Sequence, residues 1–298
     1  MDPMREFLVR ANITGFDAGQ YIDSHRDNTS ALPNIALAFS GGGYRALLNG
    51  AGALAAFDSR TPNATNKGHL GGLLQASTYT AALSGGGWMI GSIFANNFTT
   101  VQNLIDHSDV WQFQNSLFAG PPTGGIQILS TADYWKNLAD TVSSKVDARG
   151  GFNTSLTDYY GRGLSFQLIN ATDGGPAYTF SSIQNDTSFS NGETPMPILV
   201  ADERAPGDTL ISLNATVFEF NPFEMVCLAF FATLMPEASQ AKLSHNALFL
   251  IFKSAAKQLE LSKVFRTLLT WSPCGSVGLL RSHNVRLCAH KVYWKQLF

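Results

Sequence analysis

Two glycine-rich turns contain the residue types that acyl transfer requires. The first, residues 40–45, reads Ser-Gly-Gly-Gly-Tyr-Arg and follows the apolar run 35–39. The second, residues 83–88, reads Leu-Ser-Gly-Gly-Gly-Trp and follows a stretch of small residues that begins at Ala76. One turn could bind an oxyanion through backbone N–H groups, and the other could hold an activated serine. These are the two halves of an acyl-transfer site.

The first turn has the composition of a backbone anion site. Three consecutive glycines let the backbone adopt positive φ angles, so that their N–H groups can converge at the N-terminus of the next helix. The Gly-Lys-Ser/Thr ending of a P-loop and the third glycine of a dinucleotide fingerprint are both missing. A simple tight strand-to-helix connection is the alternative. Arg45 follows directly, and its guanidinium could bind a substrate phosphate or pair with a surface carboxylate.

Ser84 lies in the arrangement expected of a nucleophilic serine. The tight strand-to-helix turn of a nucleophile elbow needs small residues two positions before and after the serine. Ala82 is small although it is not glycine, and Gly86 meets the requirement. At a helix N-terminus, the positive end of the helix dipole would stabilise charge that develops on the Ser84 oxygen. The alternative is an N-cap serine followed by flexible glycines.

A serine nucleophile also needs a base. A histidine held by an acid is the usual base, and a carboxylate that takes the proton directly is the other arrangement. No histidine of this chain has a setting that marks it as the base. The six are His25, His69, His107, His245, His283 and His290. A Ser-Asp dyad and a Ser-His-Asp esterase site therefore both stay open at this point.

Alternating helices and strands would position these turns. The residue pattern predicts helices at 4–10, 44–57, from 84 or 85 to about 94, 101–106 and 132–144. It predicts strands at 35–39, 178–183, 197–201 and 210–220. This order predicts an α/β fold.

Composition excludes several classes of protein. The chain has 298 residues, is 45% hydrophobic and 14% charged, and carries a net charge of −2, so it can bury a substantial core. Nothing in this charge indicates a nucleic-acid partner. No apolar run approaches the roughly 18 residues that span a bilayer, so we predict no transmembrane segment. The first residues lack the basic and apolar regions of a signal peptide.

The chain nevertheless has the sequence features of a secreted glycoprotein. Asn-x-Ser/Thr acceptors are far more frequent than chance supplies, which favours a secretory route in which the signal is missing from this sequence. A surface rich in Asn and Thr is the alternative explanation. The eight acceptors are Asn12, Asn28, Asn63, Asn97, Asn153, Asn170, Asn185 and Asn214.

Composition changes abruptly after Glu224. Residues 1–224 contain 20 Asp or Glu and 11 Lys or Arg, whereas residues 225–298 contain 2 and 9 and all three cysteines. We interpret 225–298 as an unmatched basic tail, such as a mis-spliced or frame-shifted end of the gene model. A basic amphipathic membrane-binding segment is the alternative, because 253–257 and 259–269 have helical spacing. The three cysteines fit no metal site or set of disulfides.

Several motifs in order resemble the fungal phospholipase B (lysophospholipase) family from about Arg5 to Glu224. They are Ser40-Gly-Gly-Gly-Tyr-Arg-Ala46, Leu83-Ser-Gly-Gly-Gly-Trp88, Asn97-Phe-Thr-Thr100, Thr131-Ala-Asp-Tyr-Trp135, Gly151-Phe-Asn-Thr-Ser-Leu-Thr-Asp-Tyr159, Leu168-Ile-Asn-Ala-Thr-Asp-Gly-Gly-Pro176 and Val217-Phe-Glu-Phe-Asn-Pro222. The resemblance implies a three-layer α/β/α catalytic domain related to those of cytosolic phospholipases A and patatin, incomplete here at its C-terminus. Residues 1–224 would be the N-terminal part of that domain.

The resemblance also implies an activity and its residues. A secreted or wall-associated glycoprotein would hydrolyse fatty-acyl esters of lysophospholipids and phospholipids at a lipid interface, without a metal or organic cofactor. Ser84 resembles the nucleophile of a Ser-Asp dyad, and Gly42 and Gly43 resemble its oxyanion donors. Arg45 resembles the residue that binds the substrate phosphate.

One feature departs from the family pattern. The dyad aspartate is expected in an Asp-Gly-Gly motif well beyond Glu224, where the match ends. The Asp-Gly-Gly at 173–175 lies in a segment that resembles an earlier part of the family, so we interpret it as a turn with Asp173 as its capping residue. We therefore expect this chain to have little or no activity, because removal of the serine proton is coupled to attack. A non-catalytic lipid-binding fragment is the corresponding alternative.

Overall fold

The structure is a computed structural model of the chain. It describes residues 2–106, 110–111, 113–114, 116–121, 127–147, 154–204, 209–212 and 215–227, and the backbone of 247–252. The chain divides into two compact units. The first is formed by residues up to Ile90 together with the described residues from Ser188 onward, and the second by Gly91–Thr187.

A six-stranded sheet lies in the first unit. Its strands are β1 (Asn34–Phe39), β2 (Tyr79–Leu83), β3 (Met196–Asp202), β4 (Val217–Phe220), β5 (Met225–Cys227) and β6 (Ala247–Phe252). They lie in the order β5-β4-β3-β2-β1-β6. Neighbours among β6, β1, β2 and β3 are parallel, and β4 and β5 each run antiparallel to their neighbours. Two strands within 225–298 thus extend the two edges of the sheet.

The parallel strands consist of small and apolar residues because both of their faces are covered. Five of the six residues of β1 are buried. On one face, Ala38, Ala81, Ile198 and Val200 form a cluster that spans three strands. The register places Phe39 beside Ala82 and Leu83 beside Val200, so β1, β2 and β3 end at the same edge of the sheet.

Helices connect the strands of the first unit. They are α1 (Asp2–Ala11), α2 (Ala18–Ser24), α3 (Gly43–Phe57) and α4 (Leu73–Ala76). Helix α5 (Gly85–Ala95) begins in this unit and ends in the second. The second unit contains α6 (Val101–Asp106), α7 (Gln127–Asp147) and α8 (Leu156–Leu168), and α9 (Thr187–Ser190) begins at its last residue.

The predicted α/β class and most of the predicted elements are confirmed. The helices at 4–10, 44–57, 85–94, 101–106 and 132–144 and the strands at 35–39 and 197–201 correspond to observed elements. Helices α2, α4, α8 and α9 and strands β2, β5 and β6 were not predicted. Among the described residues of the strand predicted at 210–220, only Val217–Phe220 form a strand. The segments 253–257 and 259–269, whose helical spacing supported the membrane-binding alternative, lie outside the described residues.

The strand predicted at 178–183 is wrong, because Phe180–Asn185 forms a 3₁₀ helix. Aromatic and β-branched residues gave this segment a strand-like pattern. Its hydroxyl groups bond locally instead. The Ser182 hydroxyl donates to the carbonyl of Thr179 at 2.6 Å, and the Thr179 and Ser181 hydroxyls lie 3.1 Å apart. Such local bonds compete with the hydrogen-bond ladder of a sheet.

Asp158 fixes the N-terminus of α8 in the second unit. Its carboxylate accepts from the backbone N–H of Ser155 at 2.8 Å, which completes a capping box. It also accepts from Lys145 Nζ at 2.7 Å. Burial alone would raise the pKa of Asp158, but the hydrogen bonds from Lys145 and Ser155 outweigh burial and hold the pKa below its ordinary value.

We expect Asp158→Asn to lower the free energy of unfolding by about 1–2 kcal/mol at neutral pH, because the ion pair and part of the cap are lost. A carboxyl with a lowered folded-state pKa stabilises the protein fully above its unfolded pKa of about 4. The stabilisation is lost as the pH falls through the folded-state pKa. Urea unfolding from pH 7 downward should therefore bring wild type and variant together in acid.

Asp140→Asn is the matched control, since Asp140 is an exposed acid of α7. If Asp158→Asn lowered the free energy of unfolding by the same amount at every pH, the assigned ion pair would be contradicted.

No helix among the described residues has the length and apolar character needed to cross a bilayer.

Candidate active site

The two glycine-rich turns leave the sheet side by side. The first connects β1 to α3, and the second connects β2 to α5. Because Phe39 pairs with Ala82, the residues after these two strands begin their turns next to each other. Each turn ends at the N-terminus of a helix, where backbone N–H groups lack intrahelical partners. The sheet register therefore brings the two predicted halves of the site together.

Glycines let the two turns touch backbone to backbone. A Cβ added at Gly41 would lie 2.7 Å from Ser84 Cβ and 3.3 Å from Ser84 Oγ. A Cβ at Gly85 would lie 2.1 Å from the carbonyl oxygen of Gly43, and one at Gly86 would lie 2.7 Å from that of Phe39. Distances below 3.0 Å are not tolerated by a real side chain. Gly86 thus has the close-packing role that the small-residue requirement predicted, whereas sequence reasoning did not assign such a role to Gly41 and Gly85.

Ser84 has the backbone conformation of a nucleophile elbow. Its φ is +51°, in the left-handed region that an L-residue enters at a cost of about 1–3 kcal/mol. An N-cap serine ordinarily has extended backbone angles, so this conformation argues against the capping alternative. The Ser84 carbonyl accepts from the Trp88 N–H at 2.9 Å, and the residue is exposed. The hydroxyl thus stands at the start of α5, where the sequence predicted it.

The first turn has the backbone conformation of an anion site. Gly42 caps α3 with a φ of +141°, and Gly43 begins the helix with a φ of +64°. A Cβ on Gly43 would meet no atom within 4 Å, so glycine is needed there for its conformation and not for space. Gly42 is exposed and Gly43 is half-buried. Arg45 follows in the first turn of α3, with an exposed side chain.

An aromatic pair connects the starts of the two helices. The rings of Tyr44 and Trp88 meet edge to face, with centroids 5.6 Å apart. Each aromatic residue directly follows the third glycine of its triplet. This equivalent position in the two turns is the sequence feature from which the contact between Tyr44 and Trp88 could have been predicted. Such contacts stabilise by about 0.5–1.5 kcal/mol beyond area burial and fix the separation of the two turns.

Asp173 belongs to a turn of the second unit. The turn prediction is confirmed, because Thr172–Gly174 is a short 3₁₀ helix in which Asp173 has a φ of +55°. The predicted capping role is wrong, since Ala171 is the N-cap and the Asp173 carboxylate accepts from Asn137 Nδ2 at 2.6 Å. The fully buried Arg162 donates to the carbonyls of Asp173 and Gly174. These contacts describe a structural turn.

The described histidines have local contacts. His25 Nδ1 lies 2.8 Å from the carbonyl of Tyr21 and 3.0 Å from the Ser24 hydroxyl, at the end of α2. The backbone N–H of His69 donates to the carbonyl of Asn66 within a turn. His107, His245, His283 and His290 lie outside the described residues. In the ranges that the structure describes, no group of three or more His, Cys, Asp or Glu side chains could hold a metal ion.

Glu219 is a buried acid that sequence reasoning missed. It pairs with Val200 in the antiparallel register of β3 and β4, and Val200 pairs in turn with Leu83. Burial raises the pKa of its carboxyl, which a hydrogen bond from Asn221 Nδ2 at 3.3 Å only partly offsets. The sequence alone does not show whether an acidic side chain within a strand is buried or exposed, so the burial of Glu219 could not be predicted.

Comparison with known proteins identifies the family. A family model described as the lysophospholipase catalytic domain matches residues 35–235. Lysophospholipase 1 of Aspergillus fumigatus is 59% identical over 223 residues, which are 74% of this chain and 35% of that protein. The lysophospholipase of Penicillium chrysogenum is 54% identical over 226 residues, which are 75% of this chain and 37% of that protein.

A solved structure has the same fold. Human GIVD cytosolic phospholipase A2 superposes with a TM-score of 0.50 at 15% identity, covering 76% of this chain and 26% of its own. The chain is thus an α/β protein with the fold of a cytosolic phospholipase A2. The chain belongs to the lysophospholipase catalytic-domain family. It spans a little over a third of the length of the curated relatives that it matches.

Proposed function

We propose that this chain carries the serine site of a lysophospholipase, which hydrolyses fatty-acyl esters of lysophospholipids and phospholipids at a lipid interface. One observation carries the proposal: Gly41 packs against Ser84, so that an exposed serine with a positive φ stands beside a glycine loop at a helix N-terminus. Family membership supports the same substrate class.

Each residue of the two turns then has a role. The Ser84 oxygen attacks the ester carbonyl and forms an acyl-enzyme, which water hydrolyses. The N–H groups of Gly42 and Gly43 donate to the oxyanion that develops in the transition state. Arg45 binds the substrate phosphate. The chemistry calls on no metal or organic cofactor.

The residue that takes the Ser84 proton is not identified among the described residues, and the proposal keeps the Ser-Asp dyad as its expected form. Slow turnover or none is accordingly expected of the chain as given. The proposal is therefore tested through the serine itself.

A fluorophosphonate probe should label this chain slowly at Ser84, because attack by Oγ on phosphorus displaces fluoride, releases the serine proton to water and builds charge beside the Gly42 and Gly43 N–H groups. We expect Ser84→Ala to abolish labelling, measured by intact mass and peptide mapping. Ser59→Ala is the matched control, since Ser59 is an exposed serine of the same unit, and it should label like the wild type.

Labelling that persists in Ser84→Ala would remove the proposed nucleophile. Binding of lysophosphatidylcholine without any labelling would favour a non-catalytic lipid-binding fragment. Release of fatty acid that stops in Ser84→Ala would retain the function and overturn the expectation of inactivity.

We further propose that the protein is a secreted or wall-associated glycoprotein. Six of the eight acceptor asparagines lie at exposed positions, as glycosylation requires. They are Asn12, Asn28, Asn63, Asn97, Asn170 and Asn185. Asn153 and Asn214 lie outside the described residues.

A further inference from the structure

The second unit contains a cavity that has both apolar and polar walls. Its volume is about 380 Å³, above the roughly 300 Å³ at which cavities in proteins hold small molecules. The apolar wall is formed by the buried side chains of Phe94 in α5, Ile169 after α8, and Phe180 and Ile183 of the 3₁₀ helix. The cavity therefore has room for a compact ligand with one apolar face.

Two predicted glycosylation acceptors line the same cavity. Asn97 lies just after α5 and Asn185 is the last residue of the 3₁₀ helix, and both side chains are exposed. Each begins an Asn-x-Thr triplet, which Thr99 and Thr187 complete. Because both asparagines belong to the lining, a sugar attached to either side-chain nitrogen starts at the rim of the cavity. Such a sugar can contact the cavity wall without any movement of the chain.

The polar wall offers hydrogen-bond partners to a sugar. Ser182 lines the cavity, and its hydroxyl donates to the carbonyl of Thr179 at 2.6 Å, so its oxygen keeps lone pairs that can accept. Asp186 lines the cavity with a half-buried side chain, and no hydrogen bond within the described ranges reaches its carboxyl. Burial raises the pKa of this carboxyl above its ordinary value. An N–H or O–H donor on a ligand would offset the cost of that burial.

An exposed aromatic ring completes the lining. Tyr178 lines the cavity and is 52% exposed. Its backbone N–H donates to the carbonyl of Gly175 at 3.1 Å, and a Cβ on Gly175 would lie 3.1 Å from the Tyr178 ring. The ring therefore packs against the glycine turn. A fixed aromatic ring offers a large apolar surface at low cost in conformational entropy.

We propose that the first N-acetylglucosamine of a glycan on Asn97 or Asn185 packs in this cavity. The C–H face of the sugar ring contacts the apolar wall and the Tyr178 ring, and its N–H and O–H groups donate to the Asp186 carboxylate and the Ser182 oxygen. A wall with both characters suits a sugar, which has an apolar face and polar edges. The inference rests on the proposed glycoprotein and does not depend on Ser84.

The test follows the removal of each glycan from the folded protein. The full chain is secreted by a eukaryotic host behind a cleavable leader and treated with peptide N-glycosidase, which must reach the first sugar and leaves aspartate in place of asparagine. Peptide mapping gives a release rate for each site. Asn12, an exposed acceptor of the first unit, is the reference site.

We expect release at Asn97 or Asn185 to be at least about tenfold slower than at Asn12, because a packed sugar is accessible only when the cavity opens. After denaturation the sites should be released at similar rates. The site with slow release in the folded protein identifies the asparagine whose glycan occupies the cavity.

Two variants test the cavity wall and leave both acceptor triplets intact. Tyr178→Ala removes the aromatic ring and should speed the slow release. Asp186→Asn removes the charged acceptor and should speed it as well, because hydrogen bonds to a charged group are about twice as strong as neutral ones. Phe118→Ala is the matched control, since Phe118 is an exposed aromatic residue of the same unit that does not line the cavity. Circular dichroism checks that each variant is folded.

Release at Asn97 and Asn185 as fast as at Asn12 would overturn the proposal. A glycan on Asn12 with both cavity asparagines unmodified would overturn it too. A secreted protein without a glycan at any acceptor would contradict the proposed glycoprotein and this inference together. Labelling of Ser84 by the fluorophosphonate probe is independent of all three results, so the failure of this inference is distinguishable from the failure of the proposed hydrolysis.

Discussion

Gly85→Ala is expected to lower the free energy of unfolding by about 4 kcal/mol or more. The added methyl group would lie 2.1 Å from the Gly43 carbonyl oxygen and 2.8 Å from the Gly43 carbonyl carbon. Both atoms belong to the backbone, so no rotamer change can relieve the overlap. The two turns would have to separate, and the sheet register that holds them would be disturbed with them.

Urea unfolding followed by circular dichroism measures this loss. Gly52→Ala is the matched control, because Gly52 lies within α3 and a Cβ there meets nothing within 4 Å. Alanine is the better helix former by about 1 kcal/mol, so the control should be slightly more stable than the wild type. A Gly85→Ala protein that unfolds with the midpoint of the wild type would show that the turns do not touch as described.

Arg162→Met is the second large expected effect, a loss of about 2–4 kcal/mol. The guanidinium is fully buried and donates to the carbonyls of Asp173 and Gly174, and it lies 5.7 Å from the centre of the Phe166 ring. Burial lowers the pKa of Arg162 from its ordinary value, against the attraction of Asp173. Methionine keeps much of the apolar stem but leaves the two carbonyls without these donors.

Arg26→Met serves as the control in the same urea experiment. Arg26 is exposed and pairs with Asp2 and Asp23, which are exposed as well. Exposed pairs contribute little, so we expect no measurable change. A similar loss in both variants would mean that the Asp173–Gly175 turn is not held by Arg162.

The fold was predictable in segments where the hydrophobic pattern and the intrinsic propensity of the residues indicate the same structure. Continuous apolar residues predicted β1, and alanine and leucine at helical spacing predicted α3, because burial and helix propensity point the same way in both. The strand prediction was wrong at Phe180–Asn185, because hydroxyl groups form local hydrogen bonds there that compete with strand pairing. Helix α8 was missed because it contains Gly161, Gly163 and two tyrosines, which weaken the helical pattern, and its cap depends on the tertiary partner Lys145.

The candidate site was predictable in its residues but not in its assembly. Glycine triplets beside a serine and an arginine led to the hypothesis of an acyl-transfer site, and the structure gives Ser84 and Gly43 positive φ angles. That Gly41 lies against Ser84 depends on the pairing of β1 with β2, which no local pattern specifies.

The parallel register also has a consequence for the order of folding. Phe39 pairs with Ala82, and Ala81 pairs with Ile198, which lies more than a hundred positions further along the chain. Parallel pairings this distant form slowly, because loop-closure entropy is lost before any contact forms. A nascent chain that has made both helices therefore still lacks an aligned serine and glycine loop. Ser84 and the glycine loop therefore come together when β1 pairs with β2, and not when α3 and α5 form.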